Sequence, residues 1–237
     1  MRLREAGIDI RWTNAESFED ERLVKALQAN GVDTVLDIGA NVGLFGTELF
    51  QDNGYNGEVI SFEPLPDEHA VLCQKAARWR ARGKKWRIAP PVAVGATSKK
   101  AVFHVAGNGQ SSSLLEMTKA QTDVAPETSI VRQIDVTVRP LHELVDELDV
   151  KSGRLFLKID TQGNEPDVLT GAEPIMDRVM GIKLELSTLE LYDGLTPYYT
   201  LDQRLRKLGF VLWDVSPVFR NAQTAQLYQF DGLYIRS

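Results

Sequence analysis

Asp37, Gly39, Asn41 and Gly43 stand at alternate positions in Thr34-Val35-Leu36-Asp37-Ile38-Gly39-Ala40-Asn41-Val42-Gly43, directly behind an apolar run. A glycine-rich turn at such a place, followed by a helix, offers backbone N–H groups to a ligand with no side chain in the way. The spacing Asp-x-Gly-x-Asn-x-Gly is neither the Gly-x-Gly-x-x-Gly of a dinucleotide site nor the Gly-Lys-Ser/Thr of a P-loop. An acid just before the first glycine repels a pyrophosphate but accepts from a cationic amino acid. That points away from NAD and towards S-adenosylmethionine, with Asp37, Gly39, Ala40, Asn41 and Gly43 around it. Glu63-Pro64 ends a second apolar run, Glu58 to Phe62. The acid falls about 20 positions after the turn, where nucleoside-binding βαβ units place a carboxylate on the ribose hydroxyls.

A second junction is Leu155-Phe156-Leu157-Lys158-Ile159-Asp160, followed by Thr161-Gln162-Gly163-Asn164-Glu165-Pro166. Pro166 behind Asn164 or Glu165 marks a helix start. Polar groups thus gather at the carboxyl edge of a sheet, where ligands bind in open α/β folds. Asp160 is the first candidate for a base that takes a hydroxyl proton, for a ligand of a divalent cation, or for a cofactor contact. Lys158 shares its side of the strand by the period of two, and pairs with Asp160 or Glu185 or contacts substrate. The bland alternative is an ion pair at the sheet edge. Gln162, Glu185 and Tyr192 are candidates on the acceptor side, Ser112 on the cofactor side, and Glu165 favours a helix N-terminus. His104, in a strand ahead of a polar loop, is the histidine best placed for acid–base work, set against a hydrogen-bonded structural role. His69 reads as structural. Three histidines and one cysteine make no zinc-ligand cluster. A Mg²⁺ site built on Asp160 and another carboxylate stays open.

The elements that must hold these residues alternate between β and α. Strands are expected at 34–38, 58–62, 100–106, 130–138, 155–160 and 182–187, and a terminal antiparallel pair at 210–215 and 226–236. Runs 86–89 and 91–94 together read as one sheet strand interrupted by proline. Helices are expected at 17–29, 44–50, 66–82, 141–148, from 166 onward, and at 198–208. Residues 1–15 read as an irregular arm or short strand with Trp12 packed down. Residues 107–113 are too long for a tight hairpin and form either an active-site lid or a surface loop; 116–128 read as a polar, mobile stretch. This gives an N-terminal arm and helix over 1–30 and one domain over 31–237.

Composition agrees with one soluble α/β domain: 237 residues, 43% hydrophobic and 25% charged. A net charge of −6 argues against a large nucleic-acid surface. The basic cluster Arg78, Arg80, Arg82, Lys84, Lys85 and Arg87 reads as a solvated face at a helix C-terminus. The single cysteine, Cys73, excludes an intrachain disulfide and suits a reducing compartment. With no bilayer-length apolar run and no signal-peptide core, the expectation is a cytoplasmic protein without membrane contact.

The motifs VLDIGANVG (35–43), SFEP (61–64), GNGQSSSL (107–114), LKIDTQGNE (157–165), ELSTLELYDG (185–194), GF (209–210) and FDGLYIR (230–236), in this order, resemble the FkbM family of S-adenosylmethionine-dependent methyltransferases. The resemblance covers nearly all of 30–237. It implies a Rossmann-like fold: a seven-stranded, mostly parallel sheet with an antiparallel C-terminal pair and helices on both faces. It also implies O-methyl transfer to a hydroxyl of a natural product or sugar. The sequence departs from the family at His142, where an Asp is common, and at Gln162, where Glu is frequent. Two other readings compete. In an NAD-dependent oxidoreductase Glu63 would hold an adenine ribose; a non-catalytic subunit would bind the nucleoside without turnover. A nucleic-acid methyltransferase is disfavoured by the acidic balance and by the lack of an Asn/Asp-Pro-Pro-aromatic run.

Overall fold

A computed structural model describes residues 19–51, 54–151 and 153–237. The expectations for residues 1–15 and Trp12, and for the first two residues of the helix begun at Ser17, lie outside the described residues. The chain runs α1 (Glu19–Ala29), β1 (Thr34–Ile38), α2 (Leu44–Gln51), β2 (Glu58–Phe62), α3 (Pro66–Arg80), β3 (Lys85–Ile88), β4 (Ala93–Gly95), β5 (Lys99–Ala106) and α4 (Lys119–Val124). It continues through β6 (Ile130–Pro140), α5 (Leu141–Glu147), β7 (Leu155–Ile159), α6 (Glu165–Ala172), β8 (Val179–Ser187), α7 (Tyr198–Lys207), β9 (Phe210–Arg220) and β10 (Leu227–Arg236).

Seven strands form one sheet in the order β3-β2-β1-β7-β8-β10-β9, with β10 antiparallel to both β8 and β9. The expected seven-stranded sheet with an antiparallel terminal pair is therefore present. Every residue of β1 is buried, as befits a central parallel strand covered on both faces. Alternation along it feeds two cores. Leu36 and Ile38 pack with Leu141 and Leu144 of α5, Val168 of α6 and Leu205 of α7. Val35 faces Leu23 and Leu27 of α1, Leu49 of α2 and Leu72 of α3 on the other side. Helices thus cover both faces.

The expected single strand over 86–89 and 91–94 is corrected. β3 pairs with β2 in the large sheet, whereas β4 pairs with β6 in a separate sheet of order β4-β6-β5. Pro90 and Pro91 lie between them; neither has an N–H for a ladder, so pairing stops there. β5 runs antiparallel to β6 from Lys99 opposite Val138 to Ala106 opposite Ile130. Residues 116–128 contain α4 and a 3₁₀ turn, Pro126–Thr128. Within the basic cluster, Arg80 donates to Trp86 O, Lys84 to Tyr55 O and Arg87 to Glu58 and Leu148 O, so these cations support the fold. Among the described residues no helix is long and apolar enough to cross a membrane.

Candidate active site

The carboxyl ends of β1, β2, β7 and β8 and the amino end of antiparallel β10 open into a cavity of about 530 Å³, within the range of small-molecule sites. The turn after β1 is shaped by three residues of positive φ: Gly39 at 76°, Asn41 at 48° and Gly43 at 77°. The Gly39 and Ala40 N–H groups both donate to Phe62 O at 3.0 Å, tying this turn to the end of β2. A Cβ on Gly39 would lie 1.8 Å from Asp160 O, so only glycine lets the β1 and β7 junctions touch.

Glu63 is buried beside this turn. Its Oε2 accepts from the Asn41 N–H at 2.7 Å and its Oε1 from the Leu65 N–H at 2.8 Å. Each oxygen keeps a lone pair for a ligand hydroxyl. Burial pushes the Glu63 carboxyl up to about 7, against the two backbone N–H bonds.

Behind the turn, Asp37 is fully buried and does not reach the cavity. The Ser61 hydroxyl donates to its Oδ2 at 2.9 Å, and the Trp86 indole N–H donates to Ser61 Oγ at 2.9 Å. Its Oδ1 has no hydrogen bond but faces Lys158 Nζ at 3.5 Å. The cation expected to meet Asp37 is therefore a lysine of the protein rather than a ligand. Burial raises the Asp37 carboxyl above its ordinary range, opposed first by Lys158. Lys158 also sits 3.3 Å from Asp160 Oδ2 and donates to Gly39 O at 3.1 Å. Burial would lower its ammonium, but Asp160 and Asp37 outweigh that and raise it.

One step outward lies a row of acids. Lys158 on β7 pairs in register with Lys183 on β8, so Asp160 and Glu185 follow side by side, and Asp231 of β10 stands opposite Glu185. Lys183 Nζ lies 3.0 Å from Asp231 Oδ2 and 2.6 Å from Glu19 Oε1. Gln162 Nε2 donates to Asp160 Oδ1 at 2.8 Å and to Glu185 Oε2 at 2.9 Å, and Gln229 Nε2 donates to Glu185 Oε2 at 2.5 Å. Tyr192, buried behind Gln162, donates to Gln162 Oε1 at 2.6 Å. Glu165 stays below the surface, where its Oε1 accepts from Thr161 and Gly163 N–H groups and shapes the loop. Among the described residues no set of three His, Cys, Asp or Glu side chains is arranged to hold a metal ion.

The 107–114 segment forms one wall of the cavity. Ser113 Oγ donates to Gln162 O at 2.6 Å, and Asn41 Nδ2 donates to Gly109 O at 3.3 Å, so the wall is tied to both junctions. Ser112 lines the cavity, with its hydroxyl donating to Gly109 O at 2.9 Å. His104 does not face the cavity. Phe103 lines it, and by strand alternation His104 points the other way, within 3.2 Å of Gln133 Nε2.

The structure therefore brings Gly39, Ala40, Asn41, Glu63, Pro64, Ser112, Lys158, Asp160, Gln162 and Glu185 to one cavity. It leaves Asp37, Gly43, His104 and Tyr192 off its surface. Gly43 instead backs onto Leu72 and Trp86. Lys183, Gln229 and Asp231 line the cavity without having been singled out in the sequence. Alternation along Gln229, Asp231 and Leu233 was the available signal.

Among solved structures, the methyltransferase FkbM of Methylobacillus flagellatus KT is 14% identical over 86% of this chain, with a TM-score of 0.48. The present chain spans 43% of that protein's length. The magnesium protoporphyrin IX methyltransferase of Synechocystis PCC 6803, solved with bound SAH, is 13% identical over 99% of this chain and 93% of its own, at a TM-score of 0.50. An rRNA methylase from Streptococcus thermophilus is 10% identical, covering 96% of this chain and 99% of its own, at 0.47. At these identities the likeness is one of fold. No curated protein matches the sequence. The sequence of residues 37–212 matches the methyltransferase FkbM domain, and that stretch supplies the glycine turn, Glu63 and the Asp160 junction described above. The chain belongs to the FkbM family of methyltransferases.

Proposed function

We propose that this chain is an S-adenosylmethionine-dependent O-methyltransferase acting on a hydroxyl of a small molecule, a natural product or sugar, with residues 31–237 as the catalytic domain. The observation that carries the reading is Glu63, whose carboxyl keeps two free lone pairs beside the cavity that also holds the Gly39 turn and Asp160. A vicinal ribose diol donates two hydrogen bonds to such a group. The cavity is large enough for the nucleoside, and Glu63 offers two hydrogen-bond acceptors at its wall, so the residues present fit this cofactor. Bound there, it would supply an electrophilic methyl group and a neutral thioether as leaving group.

The chain's own residues then orient and hold charge. Asp160, partly exposed, would meet the ammonium of the amino-acid end beside the turn 39–41, whose own N–H groups are taken by Phe62 O and Glu63. Lys158 holds Asp160 and Asp37 in place. Gln162 and Glu185 stand on the acceptor side. Both lysines that line the cavity are already paired with two carboxylates each, which favours an uncharged or cationic acceptor over an anionic one.

Calorimetric titration with S-adenosylhomocysteine, with NAD as control, tests the reading. Glu63→Ala is expected to weaken binding by about ten- to a hundredfold, or about 1.5–3 kcal/mol. A preference for NAD, or no binding to the wild type, would sink it.

The same carboxyl makes binding depend on pH. Ribose hydrogen bonds favour ionised Glu63, whose proton in the free protein is held up to about 7. Affinity should therefore rise as pH increases towards 7, by at most about tenfold per unit, and level off above it. The sign for folding is opposite. A raised carboxyl stabilises the free protein at low pH, and that contribution is lost as pH rises from the ordinary value of 4.5 through about 7. Titrations from pH 5.5 to 8.5 should show the slope in the wild type and a flat response in Glu63→Gln.

A further inference from the structure

We infer that Glu185 is the base that takes the proton of the acceptor hydroxyl, and that Gln162, Gln229 and Tyr192 are the residues that aim it. This rests on the methyltransferase reading above and names the group that would carry out its proton transfer. Three acids stand in a row across β7, β8 and β10, and two of them are spent. Asp160 has Lys158 on one oxygen and Gln162 on the other. Asp231 has Lys183 at 3.0 Å. Glu185, between them, is the acid of this row with no lysine partner among the described residues. Its Oε2 takes two amide N–H bonds, from Gln162 at 2.9 Å and Gln229 at 2.5 Å. Among the described residues its Oε1 takes none, and the side chain lines the cavity. One oxygen is clamped; the other is open to a ligand.

The clamp is itself fixed. Two carboxylate oxygens at 2.8 and 2.9 Å require the NH₂ end of Gln162 to face Asp160 and Glu185. The opposite end must then accept, and the Tyr192 hydroxyl supplies the proton there at 2.6 Å. Gln162 holds φ at 55°, which places its amide between the acids. Tyr192 is a positioning residue: it reaches Glu185 only through Gln162.

The groups around Glu185 set its basicity. Burial raises its carboxyl first, then the negative charges of Asp160, Glu165 and Asp231, while Lys158 pulls it down. The net position is well above the ordinary glutamate range, which brings a general base closer to working pH. In the step itself the acceptor oxygen forms its bond to the methyl carbon. Its O–H bond breaks, and the proton goes to Glu185 Oε1. The C–S bonding pair stays on sulfur as the thioether, and Glu185 afterwards releases its proton to water.

Two measurements on the full chain test this. In carboxyl carbon-13 NMR of the S-adenosylhomocysteine complex, the signal missing from Glu185→Gln should titrate above the ordinary glutamate value of about 4.3. In Tyr192→Phe that midpoint should move further up, because a freed Gln162 amide no longer holds the ionised form. A midpoint at or below the ordinary value, or one that Tyr192→Phe leaves in place, overturns the inference. The second measurement follows transfer of a tritiated methyl group to methyl glucoside and to catechol. Glu185→Gln should lose about a hundredfold or more in kcat. It should bind S-adenosylhomocysteine within about threefold of wild type. A loss below tenfold, or a larger loss in Asp160→Asn than in Glu185→Gln, also overturns it. Where neither acceptor is methylated, the NMR midpoint decides alone. Failure of the wild type to bind S-adenosylhomocysteine would instead strike the methyltransferase reading, which the calorimetry separates.

Discussion

Lys158→Met should destabilise the protein by about 3–5 kcal/mol, because it strands a carboxylate in the interior. Asp37 has no exposure to solvent, and its Oδ1 has Lys158 at 3.5 Å and no hydrogen bond. Ser61 satisfies only the other oxygen. Methionine keeps much of the stem that runs past Phe45, whose ring centroid lies 5.7 Å from the ammonium, so lost packing contributes little. The rescue is the diagnostic part. Asp37→Asn removes the charge while keeping the shape, and the double variant should regain about 1–3 kcal/mol relative to simple addition of the two losses. Urea unfolding of the four proteins measures this directly. A loss under about 1 kcal/mol in Lys158→Met would mean that the lysine serves the ligand rather than Asp37.

Among the described glycines, Gly39→Ala should be the most damaging. Its Cβ would sit 1.8 Å from the carbonyl oxygen of Asp160, which is backbone and cannot swing aside. The left-handed conformation at φ 76° adds about 1–2 kcal/mol for any residue with a side chain. A total loss above about 4 kcal/mol is expected, in the range that marks steric failure in a core. Gly83→Ala isolates the conformational part, since Gly83 holds φ at 84° with nothing within 4 Å of the added carbon. Thermal unfolding should separate the two variants clearly. Any Gly39→Ala protein that still folds should bind S-adenosylhomocysteine poorly, as the β1 and β7 junctions must part to admit the methyl group.

The large sheet was legible because its strands are apolar runs closed by turn residues. β1, β2 and β7 lie where those runs are, and the glycine turn and Glu63 stand together at their ends. The pairing of Lys158 with Asp160 also followed from the period of two. What the sequence withheld was long-range register. Nothing local says that β10 slides between β8 and β9 so that Asp231 meets Glu185, and therefore Asp231 and Gln229 went unmarked. Alternation alone also does not say which face of β5 turns to the cavity; Phe103 takes it, and His104 loses its place. In the small sheet β5 and β6 were legible as strands, whereas the place of β4 was not, because it is only three residues long and its partner β6 lies far along the chain.

The position of β7 between β1 and β8 has a consequence for how the chain comes off the ribosome. The cofactor half, from β1 to β3, is synthesised first and can pair β1 with β2 and β2 with β3 at once. The other edge of β1 then stays bare until Leu155–Ile159 emerges, after the whole small sheet has been made. Throughout that interval Asp37 lacks its counter-ion and the exposed β1 edge offers a template to other nascent chains. The acid row closes later still, when β10 brings Asp231 alongside Glu185. The half that would bind the methyl donor is thus completed well before the half that would use it.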